Sequence, residues 1–183
     1  MVLVQESKLY KKGTLKFSDY CVFEKVRKQN EGGGLMTLVH SNLKPIMLPF
    51  ENESKMSENI LAVEAVLGKS KVRFINAYGP QESSSIDERT EFFAILDEQI
   101  QDCLSRNIML CLELDANAKV GCDIIKNNPQ KDVSQNGQLL LELIERNQLI
   151  LVNGSSKCRG KLTRVKLKKG LIEQSILDYF IVC

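Results

Sequence analysis

The chain has one histidine and no CxxC pair among its six cysteines. That combination excludes a zinc site, which draws its ligands from clustered cysteine and histidine. Cys21, Cys103, Cys111, Cys122, Cys158 and Cys183 are scattered, and the first three lie within or beside apolar stretches. They read as reduced, small core residues rather than a disulfide framework, which points to a nuclear or cytoplasmic protein. No apolar run approaches the roughly 20 residues of a membrane span, and no signal peptide opens the chain, so neither a membrane nor a secreted protein is expected. Repeats and low-complexity tracts are absent. Gly32-Gly33-Gly34 lacks the GxxxxGK[ST] spacing and precedes a strand, so it reads as a turn and not a phosphate loop. Charge of one sign is lacking too: 25 Lys and Arg oppose 23 Asp and Glu, a net +2. What is present is 183 residues, 43% hydrophobic and 26% charged. That is one globular domain, able to bury roughly 70% of its extended-chain surface without staples.

The pattern along the chain is of short strands between turns, interrupted by two helices. Val2–Val4, Tyr20–Phe23 and Leu35–Val39 are apolar runs of strand length. A polar loop with Pro45, Pro49 and residues 51–59 leads to Ile60–Leu67. Gly68-Lys69-Ser70 turns that strand into Val72–Asn76 as a hairpin. From about Ile86 to Ser105 the period becomes helical, with Phe92, Phe93, Leu96, Ile100, Cys103 and Leu104 on one face. Ile108–Leu114 is almost wholly apolar and is expected at the centre of a sheet. Asp115–Gln135 is a polar loop long enough to suggest function. A second helix, entered through Asn136-Gly137, carries Leu139, Leu140, Leu143 and Ile144. Leu149–Val152, Leu162–Leu167 and Ile176–Val182 read as the remaining strands. Two sheets packed face to face, with helices outside, fit this order.

Four places put polar groups where an apolar strand ends: Gln5-Glu6-Ser7, then Asn76-Ala77-Tyr78-Gly79-Pro80, then Asp115-Ala116-Asn117-Ala118-Lys119, then Ser175-Ile176-Leu177-Asp178-Tyr179. Asp178 is the unusual one, because an acid between Leu177 and Tyr179-Phe180-Ile181-Val182 is expected to be partly buried and to need a partner or a metal. A separate feature is basic. Lys157, Arg159, Lys161, Arg164, Lys166, Lys168 and Lys169 crowd one segment, and as a strand Arg164, Lys166 and Lys168 share a face. Such a stripe suits a DNA backbone, or equally an edge strand kept soluble by charge. No aromatic is interleaved, so single-strand stacking is not indicated.

Taken in order, these elements resemble the endonuclease/exonuclease/phosphatase superfamily. Strand-then-QES resembles its strand-then-QET element, INAYGPQ its N-x-Y-x-P element, LELDANAK its strand followed by G-D-x-N, and SILDYFIV its S-x-x-D-Y strand. NGQLLLELIERNQLILVN and the later LTR look like the endonuclease domains of non-LTR retrotransposons. The resemblance implies an α+β fold, a four-layer α/β-sandwich of two packed mixed β-sheets flanked by helices (DNase I-like). It implies Mg²⁺, with Mn²⁺ as a substitute, held by Glu6, Asp115 and Asn117. Tyr78, Asp115, Asn117 and Asp178 match catalytic positions. Asp115 would either ligate the metal or take a proton from water, and Asp178 would orient a histidine. Asn76, Thr163, Arg164, Lys166 and Lys168 would contact substrate. The implied partner is DNA, nicked so that the free 3′ end primes reverse transcription, with a reverse transcriptase domain in the parent protein. Glu6, Asn76, Asp115, Asn117 and Asp178 are expected to converge at one end of the sandwich.

Three departures qualify the match. Leu114 stands where the family has glycine. The family's first strand would lie before Met1, and its Ser-Asp-His element after Cys183. The expectation is therefore a single domain over residues 1–183, truncated at both ends and weak or inactive as a nuclease. His40 lies in a different strand region from the missing histidine. Two alternatives stay open: a catalytically dead remnant that at most binds DNA, and a phosphatase of the same fold acting on a small phosphoester.

Overall fold

The computed structural model describes residues 1–183 except 10, 12, 14, 27–32, 51–53, 126–127, 156–157, 159–161 and 169–170, and leaves the side chains of 154, 168 and 171 undescribed. Among the described residues, eleven strands and two α-helices are arranged as two sheets, a separate ribbon and a helical layer. β1 (Val2–Gln5), β2 (Tyr20–Lys25) and β3 (Leu35–His40) form an antiparallel sheet in the order β1-β3-β2. The larger sheet runs β4 (Ile46–Met47), β5 (Ile60–Leu67), β6 (Ser70–Tyr78), β7 (Met109–Asp115), β11 (Asp178–Val182), β8 (Ile150–Leu151). It is mixed, because β6 and β7 are parallel while the other pairs are antiparallel. That parallel pair needs a crossover, which α1 (Ile86–Ser105) supplies. α2 (Gln135–Arg146) joins β7 to β8.

Alternation along the central strands assigns their two faces. Ile75 and Ala77 of β6, Leu110, Leu112 and Leu114 of β7, and Tyr179 and Ile181 of β11 point to the helices. There they pack with Phe92, Phe93, Leu96 and Ile100 of α1 and Leu140 and Leu143 of α2. The other face of β5 and β6 presents Val63, Ala65, Val72 and Phe74 to Val39 and Phe23 of the three-stranded sheet. Both helices lie on the larger sheet. The expected two-sheet α+β sandwich is what the chain forms.

Local signals account for most boundaries. Gly68 takes φ 63°, as a two-residue hairpin turn opening on glycine requires, and β5 and β6 pair from Leu67↔Ser70 to Ile60↔Ala77. Ser85 and Ser134 cap the two helices, accepting hydrogen bonds from the Glu88 and Gly137 amides. Several expectations are corrected. The strand foreseen at Leu149–Val152 is only Ile150–Leu151, and the chain then closes into a 3₁₀ turn over Val152–Gly154. The last strand begins at Asp178 rather than Ile176, because Leu171–Ser175 forms an unforeseen strand, β10, paired to β9 (Arg164–Lys168). Among the described residues, no helix is long and apolar enough to cross a membrane.

Candidate active site

The ends of β6, β7 and β11 meet in one row. Tyr78 is the register partner of Asp115 across the parallel pair, and Asp115 is the partner of Asp178 across the antiparallel one. All three lie on the face turned away from the helices. Glu6 reaches the same place from the end of β1, where it accepts a 3.0 Å hydrogen bond from the Tyr78 hydroxyl. The Asn117 backbone N–H donates to Asp115 Oδ1 at 3.1 Å, and its side-chain Nδ2 donates to the Gly79 carbonyl at 2.9 Å. Both turns bearing these groups bend through the left-handed region, with Glu6 at φ 49° and Asn117 at φ 46°. Five of the foreseen residues therefore share one end of the molecule: Glu6, Tyr78, Asp115, Asn117 and Asp178.

Asn76, read from the sequence as a substrate contact, sits one row deeper and is fully buried. Its Nδ2 donates to the carbonyls of Val4 (3.1 Å) and Met36 (3.0 Å), and its Oδ1 accepts from Gln5 Nε2 at 2.9 Å. The amide is thus spent on tying the two sheets together, and it fixes β1, whose next residue is Glu6. Thr163 is exposed and accepts at Oγ1 from the Leu177 and Asp178 amides (2.9 and 3.2 Å), so it holds the start of β11. Arg164 and Lys166 project from the β9–β10 ribbon, opposite Ser175 and Glu173 respectively. Arg164 lies near enough to favour ionisation of Asp115. Lys168 follows at the next position of that strand by register, opposite Leu171. Lys157, Arg159, Lys161 and Lys169 of the basic segment lie outside the described residues. The ribbon's other face carries Val165, Leu167 and Ile172, each more than 60% exposed.

Among the described residues the acids of the row have no ion-pair partner within 4 Å, though the charge of Arg164 reaches Asp115. Burial, opposed in part by the Asn117 N–H and reinforced by Asp178 and Glu6, pushes the Asp115 carboxyl up to about 6. Glu113, two residues earlier on the same face, is raised by burial and by Asp178. Burial and the bond to Glu6 push the Tyr78 phenol up to about 12, so it stays a neutral donor at physiological pH. The chain's only histidine, His40, ends β3 at the opposite end from the Gln5↔Leu35 pairing that adjoins Glu6. It stands edge-on to Tyr20 and accepts from the Asn42 amide. His40 therefore lies away from this site.

The donor set fits a hard cation. Glu6 and Asp115 offer carboxylate oxygens and Asn117 a neutral amide oxygen, and Mg²⁺ takes one or two carboxylates, completing its shell with water and phosphate. Among the described residues, no group of three or more His, Cys, Asp or Glu side chains forms a ready-made cage. Alongside Glu6 and Tyr78 lies a cleft of about 260 Å³, bordered by Lys55, Asn59, Gly79 and Pro80.

No protein-family model matches the chain, and no curated protein matches it in sequence. Solved structures do match. The endonuclease domain of TRAS1, a telomere-specific non-LTR retrotransposon, aligns over 90% of this chain and 67% of its own at TM-score 0.60 and 18% identity. AP endonuclease LMAP from Leishmania major aligns over 98% of this chain and 68% of its own, at TM-score 0.66 and 14% identity. The 3′-5′ exonuclease NExo from Neisseria meningitidis aligns over 98% and 75%, at TM-score 0.65 and 14% identity. The chain has the fold of these structures, the DNase I-like fold. It spans about two thirds to three quarters of the length of these three.

Proposed function

We propose that this chain is a Mg²⁺-dependent phosphodiesterase, the DNA-nicking endonuclease domain of a non-LTR retrotransposon, with a reverse transcriptase domain in its parent protein. The observation that carries the reading is the row Tyr78–Asp115–Asp178 with Glu6 and Asn117 beside it, on a fold shared with nucleases. Mn²⁺ would substitute for Mg²⁺. Glu6 would hold the ion, with Asp115 and Asn117 contributing oxygens, and the bound ion would offset the negative charge of the phosphodiester.

The chain's own residues then supply the chemistry. Asp115 would either ligate the ion or take a proton from the attacking water, and a carboxyl pushed up to about 6 is a competent base at neutral pH. A bond forms between the water oxygen and phosphorus, the bond from phosphorus to the 3′ oxygen breaks, and that oxygen takes a proton from solvent, leaving a free 3′ hydroxyl and a 5′ phosphate. Tyr78 offers an O–H to charge developing on the phosphate. Asn117 adds a polar contact without adding repulsion. Asp178 faces Asp115 and helps hold its carboxyl in the higher range. Arg164, Lys166 and Lys168 would meet the DNA backbone, and Thr163 anchors the base of their ribbon.

The test is conversion of supercoiled plasmid to open circle in Mg²⁺, with and without chelator. Metal-dependent nicking that Asp115→Ala and Glu6→Ala each remove supports the proposal. Hydrolysis of a small phosphomonoester with no action on plasmid would overturn it in favour of a phosphatase.

A further inference from the structure

α2 begins with residues that a helix does not favour. Gln135, Asn136 and Gly137 are its first three positions, and Asn and Gly rank low in helix propensity. Each has a tertiary reason. Asn136 is fully buried, and its Nδ2 donates to the Pro80 carbonyl at 2.8 Å and to the Ala116 carbonyl at 3.3 Å, with the Asn117 carbonyl at 3.5 Å. Its backbone N–H donates to Glu82 Oε1 at 3.0 Å. Gly137 is where the helix end presses on the loop, since a Cβ there would overlap the Lys119 carbonyl oxygen. Ser134 fastens the same point, accepting from the Lys119 amide at 3.0 Å and donating its own N–H to the Lys119 carbonyl at 3.0 Å.

The loops so gripped are those that carry the site. Pro80 lies two residues after Tyr78, and Ala116 lies between Asp115 and Asn117. The two loops also touch directly: the Gly79 N–H donates to the Asp115 carbonyl at 2.6 Å, and a Cβ at Gly79 would meet the Ala116 oxygen at 2.9 Å. We propose that Asn136 is a positioning residue, whose single amide sets the Tyr78–Pro80 loop against the Asp115–Asn117 loop while its side chain stays out of the site. Asn136 thereby fixes the spacing of Tyr78, Asp115 and Asn117. The consequence for rate rests on the proposed phosphodiesterase activity, and the consequence for loop geometry does not.

Residue-resolved amide exchange on the full chain reads the geometry. Asn136→Ala is expected to speed exchange at Gly79 and Asn117 about ten- to hundredfold beyond the change at Leu112 and Ile181 in the sheet, the range expected when a buried hydrogen bond is removed. Leu143→Ala, which opens the core on the same helix, is expected to move all four amides together. In plasmid nicking, Asn136→Ala should lower kcat and raise the Mg²⁺ concentration needed for half-maximal rate, with KM for DNA unchanged. Glu82→Ala removes only the acceptor of the Asn136 N–H. It should give a smaller change of the same pattern, and it serves where Asn136→Ala does not fold. Exchange at Gly79 and Asn117 that merely follows the sheet amides would overturn the inference, as would wild-type kcat in Asn136→Ala. A wild-type chain that hydrolyses a small phosphomonoester and leaves plasmid untouched would refute the proposed function, while the exchange result would still decide the role of Asn136.

Discussion

β6 carries charged clusters on both of its faces, and they are built differently. Toward the helices, Arg73 is buried and paired with Glu64 of β5 and Asp102 of α1, both at 2.5 Å, while Arg106 adds a 3.0 Å contact to Asp102. Toward the other face, at the strand's end, Tyr78 joins Glu6, Asp115 and Asp178, and no ion pair within 4 Å is seen there among the described residues. In the first cluster arginines hold the Asp102 carboxyl below the usual carboxylate range. In the second the Asp115 carboxyl is pushed up to about 6. A fold that needs only stability matches its buried charges. Acids assembled against the cost of gathering them are what the proposed cation and anionic substrate would balance.

The comparison breaks most visibly in activity. Asp115→Ala should lower plasmid nicking by about 10²–10⁴-fold, the usual contribution of a positioned acid–base group, with the folded state retained by circular dichroism. Arg73→Met should do the opposite. It leaves buried Glu64 with only Arg106, at 3.6 Å, and should cost about 3–5 kcal/mol in urea denaturation, while metal affinity of the folded protein stays at the wild-type value.

A smaller effect sharpens the contrast through pH. The Asp115 carboxyl binds its proton more tightly folded than unfolded, so its contribution to stability is full below about pH 4 and is lost as pH rises through about 6. Asp115→Asn removes that loss. Metal-free Asp115→Asn should be more stable than wild type at pH 8 by on the order of 1–2 kcal/mol, allowing for partial solvent screening. The difference should vanish near pH 4, as read by thermal unfolding in chelator. The smallest effect concerns the ribbon: Arg164→Gln with Lys166→Gln should reduce the log–log salt slope of DNA binding by about 0.9 for each phosphate no longer neutralised. An unchanged slope would place the ribbon away from the DNA.

The two clusters also differ in how far the sequence reveals them. Each acid or amide of the row stands just past an apolar run or beside one, which drew attention to these places, and the family resemblance singled out Glu6, Tyr78, Asp115, Asn117 and Asp178. The strands that deliver them were legible for the same reason, since Ile60–Leu67 and Ile108–Leu114 are apolar enough to be central. Arg73 and Glu64 were hidden. Each interrupts an apolar strand, and the pairing appears only when the hairpin register places them opposite one another. Asn76 was visible as a motif residue, but its partners Val4 and Met36 lie 72 and 40 positions away, and nothing local says that it binds sheets together. β10 was missed because Leu-Ile-Glu-Gln-Ser neither alternates cleanly nor runs apolar. Among the described residues, the strand it pairs with is β9. Asn136-Gly137 was legible as a helix entry, and the poor propensity of that pair was the available signal that the entry had a second duty.

The central claim is that the unmatched row binds a divalent cation, and calorimetric titration of the chain with Mg²⁺, repeated with Mn²⁺, tests it most directly. One ion should bind to wild type and to Arg73→Met alike, with affinity falling at least tenfold in Glu6→Gln and in Asp115→Asn. Wild-type protein that takes up neither ion at millimolar concentration would contradict the account. So would binding that survives both substitutions.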